Sequence, residues 1–156
     1  MAKPLIDKRL QSDPDEDETQ ASSTSPWEAI AILDGRQTQL RRPLTLTRRY
    51  MPGDLLWCRE QWSVRLDHSV SYIAEREEGR KYGSARTMPR AYSRITLQVI
   101  SVVAQHGNAA TYDDATAEGY ALPDVAYAIP WLRAMWGAID VPLDQEWGLI
   151  KMVRVE

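Results

Sequence analysis

Cysteine, histidine and phenylalanine are scarce or missing here: one Cys, two His and no Phe among 156 residues. A single cysteine, Cys58, excludes an internal disulfide framework and a zinc site built on several thiolates. Flanked by Leu56, Trp57 and Arg59, it reads as a small buried hydrophobe rather than a reactive thiol. His68 and His106 stand far apart, without the spacing of a metal pair, so no metal and no cofactor is expected. No apolar run reaches the roughly 18 residues of a membrane span, and the N-terminus lacks a signal peptide's apolar core. The expectation is a soluble, cytoplasmic chain with no membrane partner.

Acidic residues are missing from two long stretches. None occurs between Gly35 and Gly53, or between Gly79 and Tyr112. They are crowded instead into the N-terminus, where Asp13, Asp15, Glu16, Asp17 and Glu18 lie among few large apolar residues. Such a segment buries too little surface to offset its ordering entropy, so residues 1–25 are expected to be a disordered acidic tail. The formal charge of −3 belongs to that tail, and the remaining domain, 26–156, is neutral overall. Tight nonspecific binding to duplex nucleic acid is therefore not expected, and any positive surface must be local.

Aromatic residues are plentiful in polar form, with six Trp and seven Tyr. Each ring carries a hydrogen-bonding handle, which suits half-buried positions and grooves. Trp57, Trp62, Tyr50, Tyr82 and Tyr92 fall in or beside segments rich in arginine. Aromatic faces near guanidinium groups are what a single-stranded or flipped nucleotide requires.

Local signals outline the elements. Ser25-Pro26-Trp27-Glu28 starts a helix with a cap, a proline at the first helical position and a glutamate three residues on. Gly35 stops it, and the segment 35–42, with Arg36, Arg41 and Arg42, reads as a basic loop. After a turn at 51–54, strands are predicted from Leu55, over 69–76, over 94–105 and over 147–155. The alternation breaks near Ile100, which points to a bulge. Asp113 or Asp114 is expected to cap a short helix ended by Gly119, and Pro130 to open a last helix over 130–139. In that helix Trp131, Leu132, Met135 and Trp136 follow helical spacing, as a core-covering face does. This order predicts an α+β fold: a small mixed β-barrel with flanking helices.

Four segments in order, ILDGRQTQLRR (32–42), PGDLLWCRE (52–60), MPRAYSRITLQV (88–99) and DATAEGY (114–120), resemble the ASCH domain, a branch of the PUA-like superfamily. They look like the ASCH proteins of phages and prophages. The resemblance spans roughly 27–156 and implies a PUA-like barrel with a cleft for RNA or a modified nucleotide. Some ASCH relatives are amidohydrolases acting on N4-acetylcytidine, and others are described as ribonucleases.

In the amidohydrolases a GRKTxTxR-like motif supplies a catalytic lysine and threonine, and a later glutamate completes the set. Here Gln37 stands at the lysine position and Leu40 at the second threonine, while Arg36, Thr38, Arg42 and Glu118 match. Glutamine cannot exchange protons and leucine has no hydroxyl, so that hydrolysis is not expected. Glu118 itself reads more readily as a solvated carboxylate at a helix end. Thr38 and Glu118 are the candidates left for catalysis. Arg36, Gln37, Arg41, Arg42, Arg90, Tyr92 and Arg94 are the candidates for nucleic-acid contact, in a cleft floored by 35–42 and walled by 88–94. A nucleic-acid or nucleoside hydrolase, and a phage accessory protein binding a host protein, remain the alternatives.

Overall fold

The computed structural model describes residues 21–137 and 145–155, so the run 1–20 and the end of the last predicted helix, 138–139, lie outside the described residues. Among the described residues, seven strands and four α-helices are ordered β1 (Ala21–Ser23), α1 (Pro26–Leu33), β2 (Gln39–Pro43), α2 (Leu44–Thr47), β3 (Leu55–Arg59), β4 (Trp62–Val64), β5 (Val70–Tyr72), β6 (Thr96–His106), α3 (Tyr112–Ala117), α4 (Ala128–Gly137) and β7 (Glu146–Val155). Five strands form one mixed sheet in the order β1-β3-β6-β7-β2, and β4 with β5 makes a separate hairpin. The α+β class follows the expectation.

β6 and β7 are the long central pair, antiparallel from Thr96↔Val155 to His106↔Glu146. The register shifts between Val99 and Ser101, so the broken alternation at Ile100 is a bulge. Leu97 and Val99 point into the main core with Ile95, Leu40, Leu56, Cys58, Ile150 and Met152, against Ala29 and Ile32 of α1. A second cluster, of Ala115, Tyr120, Ala128, Leu132 and Trp147, seats α3 and α4 on the other side. Gly148 is required at its place in β7, because a Cβ there would lie 2.0 Å from Thr47 Oγ1 of α2.

Several expectations are corrected. Residues 39–43 are a strand, not loop, pairing with β7 at Leu40↔Ile150 and Arg41↔Leu149. β2 is buried on both faces: Leu40 enters the apolar core, while Gln39 and Arg41 lie under the helices. Polar residues on a sealed face erase the alternation by which a strand is read. Residues 21–23, assigned to the tail, form β1, parallel to β3 from Ala21↔Trp57 to Ser23↔Arg59. The strand expected over 69–76 is limited to Val70–Tyr72 and gives way to a 3₁₀ turn at Ile73–Glu75. Thr111, not an aspartate, caps α3, and Asp114 is the third helical residue that bonds back to it. α4 begins at Ala128, two residues before Pro130. Leu132 is buried and Trp131 and Met135 pack against the second cluster, while the side chain of Trp136 lies outside the described residues.

The ladder does not close into a barrel among the described residues; β1 and β2 end it. A side chain bridges this seam instead. Arg42 of β2 donates to the Ser23 carbonyl of β1 at 3.2 Å and grips Glu28 of α1 at 3.1 and 3.2 Å.

Between β3 and β6 the chain makes a polar excursion from Glu60 to Arg94. Arg65 binds Glu75 at 2.6 Å and Glu77, Arg80 binds Glu77, and Arg94 binds Glu60 at 2.8 and 2.9 Å. Tyr72 donates to the Tyr92 carbonyl at 2.6 Å, and the Tyr92 ring meets Trp62 at 5.4 Å between centroids.

Candidate functional site

The conspicuous polar cluster sits where α1, β2 and the end of α3 meet. Glu118 caps α3 at its C-terminus, and Gly119 follows at φ +107°, a conformation that favours glycine. An isolated antiparallel bridge joins Gln37 to Glu118 and lays the start of β2 beside this turn. Arg41 then clasps Glu118 with two parallel bonds, Nε to Oε1 at 2.9 Å and Nη2 to Oε2 at 3.0 Å. Gln39 adds a donor to Glu118 at 3.2 Å and another to Asp114 at 3.3 Å. Gln105 of β6 accepts from Arg41 at 2.9 Å and donates to Asp114 at 3.0 Å. Burial works against the Asp114 carboxylate, but bonds from Gln105, Thr111 and Gln39 outweigh it and hold its pKa below the ordinary value.

One residue along the strand, Arg42 repeats the pattern with Glu28. Burial opposes the charged guanidinium, yet Glu28 overcomes this by charge and hydrogen bonding and raises the Arg42 pKa. Gln37 ties the two pairs together, donating to Glu28 at 3.3 Å and to the Gln39 carbonyl at 3.1 Å. Its own Oε1 is buried and accepts no hydrogen bond among the described residues. Glu28, Gln37, Arg41, Arg42 and Glu118 surround a void of about 20 Å³, space for one water.

These bonds show where the predicted residues lie. Glu118 is 3% exposed and bound by Arg41, so it is not a solvated helix-end carboxylate. Arg41, expected to face a ligand, is 2% exposed and belongs to the same interior pair. Thr38 is turned outward, its backbone held by Ala117 and Met152, and it does not join Glu118. Leu40 is core. The structure therefore brings Gln37, Arg41, Arg42 and Glu118 together around one void, whose lining takes no residue from 88–94. Arg94 is engaged with Glu60 and lies over the Tyr72 ring at 4.0 Å, Tyr92 packs on Trp62, and Arg90 is exposed.

Two larger openings flank the polar chamber, and neither takes a lining residue from 88–94. On one side is a hollow of about 480 Å³ formed by Trp27, Tyr120 and Trp131 with Leu122 and Met135, and Arg36 at its edge. Trp131 is the hub: its ring centroid lies 5.5 Å from Trp27 and 5.4 Å from Tyr120. Arg36 holds the Gly119 carbonyl at 3.2 Å and Asp34 at 3.4 Å, with its side chain 42% exposed. Gly119 leaves this wall thin, since a Cβ there would sit 3.7 Å from the Trp27 ring and 3.8 Å from Gln37 Oε1. Trp27 and Met135 line both the hollow and the chamber.

On the other side is a cleft of about 660 Å³ along the open seam, between the 21–26 segment and Pro43, Leu46, Arg49 and Tyr50, with the Glu28–Arg42 pair in its lining. Sequence reasoning missed Glu28, read only as a capping glutamate; it does bond the Ser25 amide at 3.5 Å, but its other work is long-range. Trp27, Tyr120 and Trp131 were equally unassigned as a group, for only the fold unites positions so far apart. Among the described residues no group of three or more His, Cys, Asp or Glu is placed to hold a metal ion, and no helix is long and apolar enough to cross a membrane.

No family model and no curated protein matches this chain. Among solved structures it is similar to an ASCH domain from Lactobacillus crispatus JV V101, at 14% identity and a TM-score of 0.47, over 81% of this chain and 69% of that one. It is also similar to a DUF984 protein from Enterococcus faecalis V583, at 10% identity and a TM-score of 0.46, over 82% and 68%.

Proposed function

We propose that this chain is an ASCH-like module that binds RNA or a modified nucleotide, seating one base in the hollow between Trp27, Tyr120 and Trp131. The observation that carries this reading is the mutually packed aromatic trio bordering an open 480 Å³ space with an exposed arginine at the rim. That volume falls in the range of small-ligand sites, and aromatic faces accept any base by stacking, worth roughly 1–3 kcal/mol each. Arg36, at the rim and 42% exposed, supplies the cation for a phosphate in this reading. The chamber behind the wall offers Gln37 Oε1, an acceptor reached by an exocyclic amine through one water.

Amide hydrolysis is not part of the proposal. The acid–base lysine is replaced by Gln37, the hydroxyl by Leu40, and Glu118 is bound to Arg41 at 2.9 Å. No described His, Ser or Cys lines the chamber to take over as base or nucleophile.

The test is a titration of labelled single-stranded RNA followed by anisotropy, at two salt concentrations, with wild type and Trp131→Ala. Saturable binding that weakens tenfold or more in the variant supports the reading. Absence of binding by wild type, to RNA and to free nucleosides alike, removes it.

A further inference from the structure

The cleft along the seam is not needed to hold a single base, yet it is built for an anion beside a flat group. Its lining includes Arg49, an exposed cation, and the half-buried Tyr50, with apolar Pro26, Pro43 and Leu46 around them. Arg42, Arg49 and Tyr50 line the same opening; burial raises the Tyr50 pKa, and the positive charges of Arg42 and Arg49 oppose that shift. Arg42 is committed to Glu28, to Ser23 and to its neighbour's carbonyl. Arg49 makes no hydrogen bond or ion pair with the described residues, so its charge is available. Tyr50 keeps an O–H donor beside it.

The cleft and the hollow also share an element. Ser25, Pro26 and Glu28 of the α1 start line the cleft, and Trp27, between them in sequence, lines the hollow. The two openings therefore lie on either side of the α1 N-terminus, which a strand running from one to the other must cross. The chamber shares Glu28 and Arg42 with the cleft and Trp27 and Met135 with the hollow.

From this we infer that the ligand is an oligonucleotide strand rather than a free nucleoside: the seam cleft is a second subsite, in which Arg49 and the Tyr50 hydroxyl hold the phosphate of the nucleotide adjoining the base in the hollow. This rests on the base-binding reading above and extends it from one nucleotide to at least two. A phosphate held by an exposed arginine needs a second donor to fix it, and the phenol supplies one. The neighbouring sugar and base then cover the apolar strip of Pro43, Leu46 and the Tyr50 ring.

The experiment compares cytidine, its 5′-monophosphate and a single-stranded pentaribonucleotide on wild type and on Arg49→Gln/Tyr50→Phe. The double variant keeps the Tyr50 ring that packs on the core, and its fold is checked by circular dichroism and thermal unfolding. The expected result is an oligonucleotide bound at least tenfold tighter than the monophosphate by wild type. That advantage is lost in the variant, with monophosphate binding unchanged and the salt slope reduced by about 0.7 for the lost phosphate. Equal binding of monophosphate and pentanucleotide by wild type, with no effect of the variant, overturns the second subsite and leaves the base site standing. If Trp131→Ala also leaves every affinity unchanged, the base site falls with it.

Discussion

Two networks of arginine and glutamate in this molecule use the same chemistry in opposite surroundings. Around the chamber, Arg41 and Glu118 have side chains only 1% and 4% exposed, and Gln39 and Gln105 are among their further hydrogen-bond partners. In the excursion between β3 and β6, Arg65 and Glu77 are each 29% exposed, and Arg80 and Glu75 share them in contact with water. The outer network ties a loop-rich segment down with bonds that solvent replaces at little cost. The inner one cannot lose a partner without leaving a charge in a site with room for only about one water. Arg94–Glu60 stands between them, with Glu60 1% and Arg94 26% exposed, and anchors the excursion to the end of β3.

The sharpest way to break this contrast is to remove one carboxylate from each side. Glu118→Ala leaves Arg41 charged and buried, and is expected to lower stability by about 3–5 kcal/mol. Glu77→Ala is expected to change it very little. Urea unfolding of both variants measures the difference. Equal costs would mean that the inner pair is not sealed in solution.

The next largest effect tests what holds β2 in place. Gly148 faces Arg42 across the β2–β7 ladder and has Thr47 of α2 pressed against it. Gly148→Ala forces α2 away from the sheet and is expected to cost about 1–3 kcal/mol, the usual penalty of overpacking. Gly79→Ala in the excursion also introduces strain, since φ there is +75°, but it meets nothing within 4 Å. Thermal unfolding separates a packing cost from a turn cost: the first is relieved when Thr47→Gly, which removes Oγ1, Cβ and Cγ2, is paired with Gly148→Ala, and the second is not.

The parts legible in sequence are those governed by local chemistry. The α1 start at Pro26, its stop at Gly35 with φ +74°, the turn at 51–54 and the Ile100 bulge all follow from residues next to one another. β2 was hidden because its buried face carries Gln39 and Arg41, and polar side chains on a sealed face look like a loop. β1 was hidden because three residues of a parallel edge strand have no pattern of their own. The site was half legible: the glycine-arginine stretch and Glu118 do belong together, but as an interior pair. Which arginine is free depends on where a distant glutamate lies, and Glu28 in a capping motif gives no sign that it will reach Arg42.

Cys58 sharpens the comparison kinetically. It is buried in the main core beneath the seam, and burial pushes its thiol pKa up to about 12. A thiol so protonated and covered reacts only when the sheet opens. Labelling with a thiol reagent at neutral pH is expected to proceed at the rate of sheet opening and to be unchanged by Glu77→Ala. Faster labelling in that variant would show that the excursion and the sheet open together.

Acid gives the smallest and most local effect. Hydrogen bonds from Arg65 and Arg80 hold the Glu77 carboxyl below its ordinary value near 4.5. A lowered folded-state pKa means that the ion pairs contribute fully above that ordinary value and lose their contribution as pH falls through the lowered one. The excursion is thus expected to loosen below about pH 4.5 while the chamber and sheet persist. Trp62 reports it: its indole donates to Thr87 at 3.3 Å and packs on Tyr92, both within the excursion. Amide hydrogen exchange across 60–94 and across β6 and β7, followed from pH 6 to pH 3, distinguishes the two regions. Protection lost first in 60–94, and lost earlier still in high salt, is the signature of a segment held by exposed charge. Simultaneous loss in both would instead make the excursion part of the same cooperative unit as the sheet, with Arg94–Glu60 as the bond that joins them.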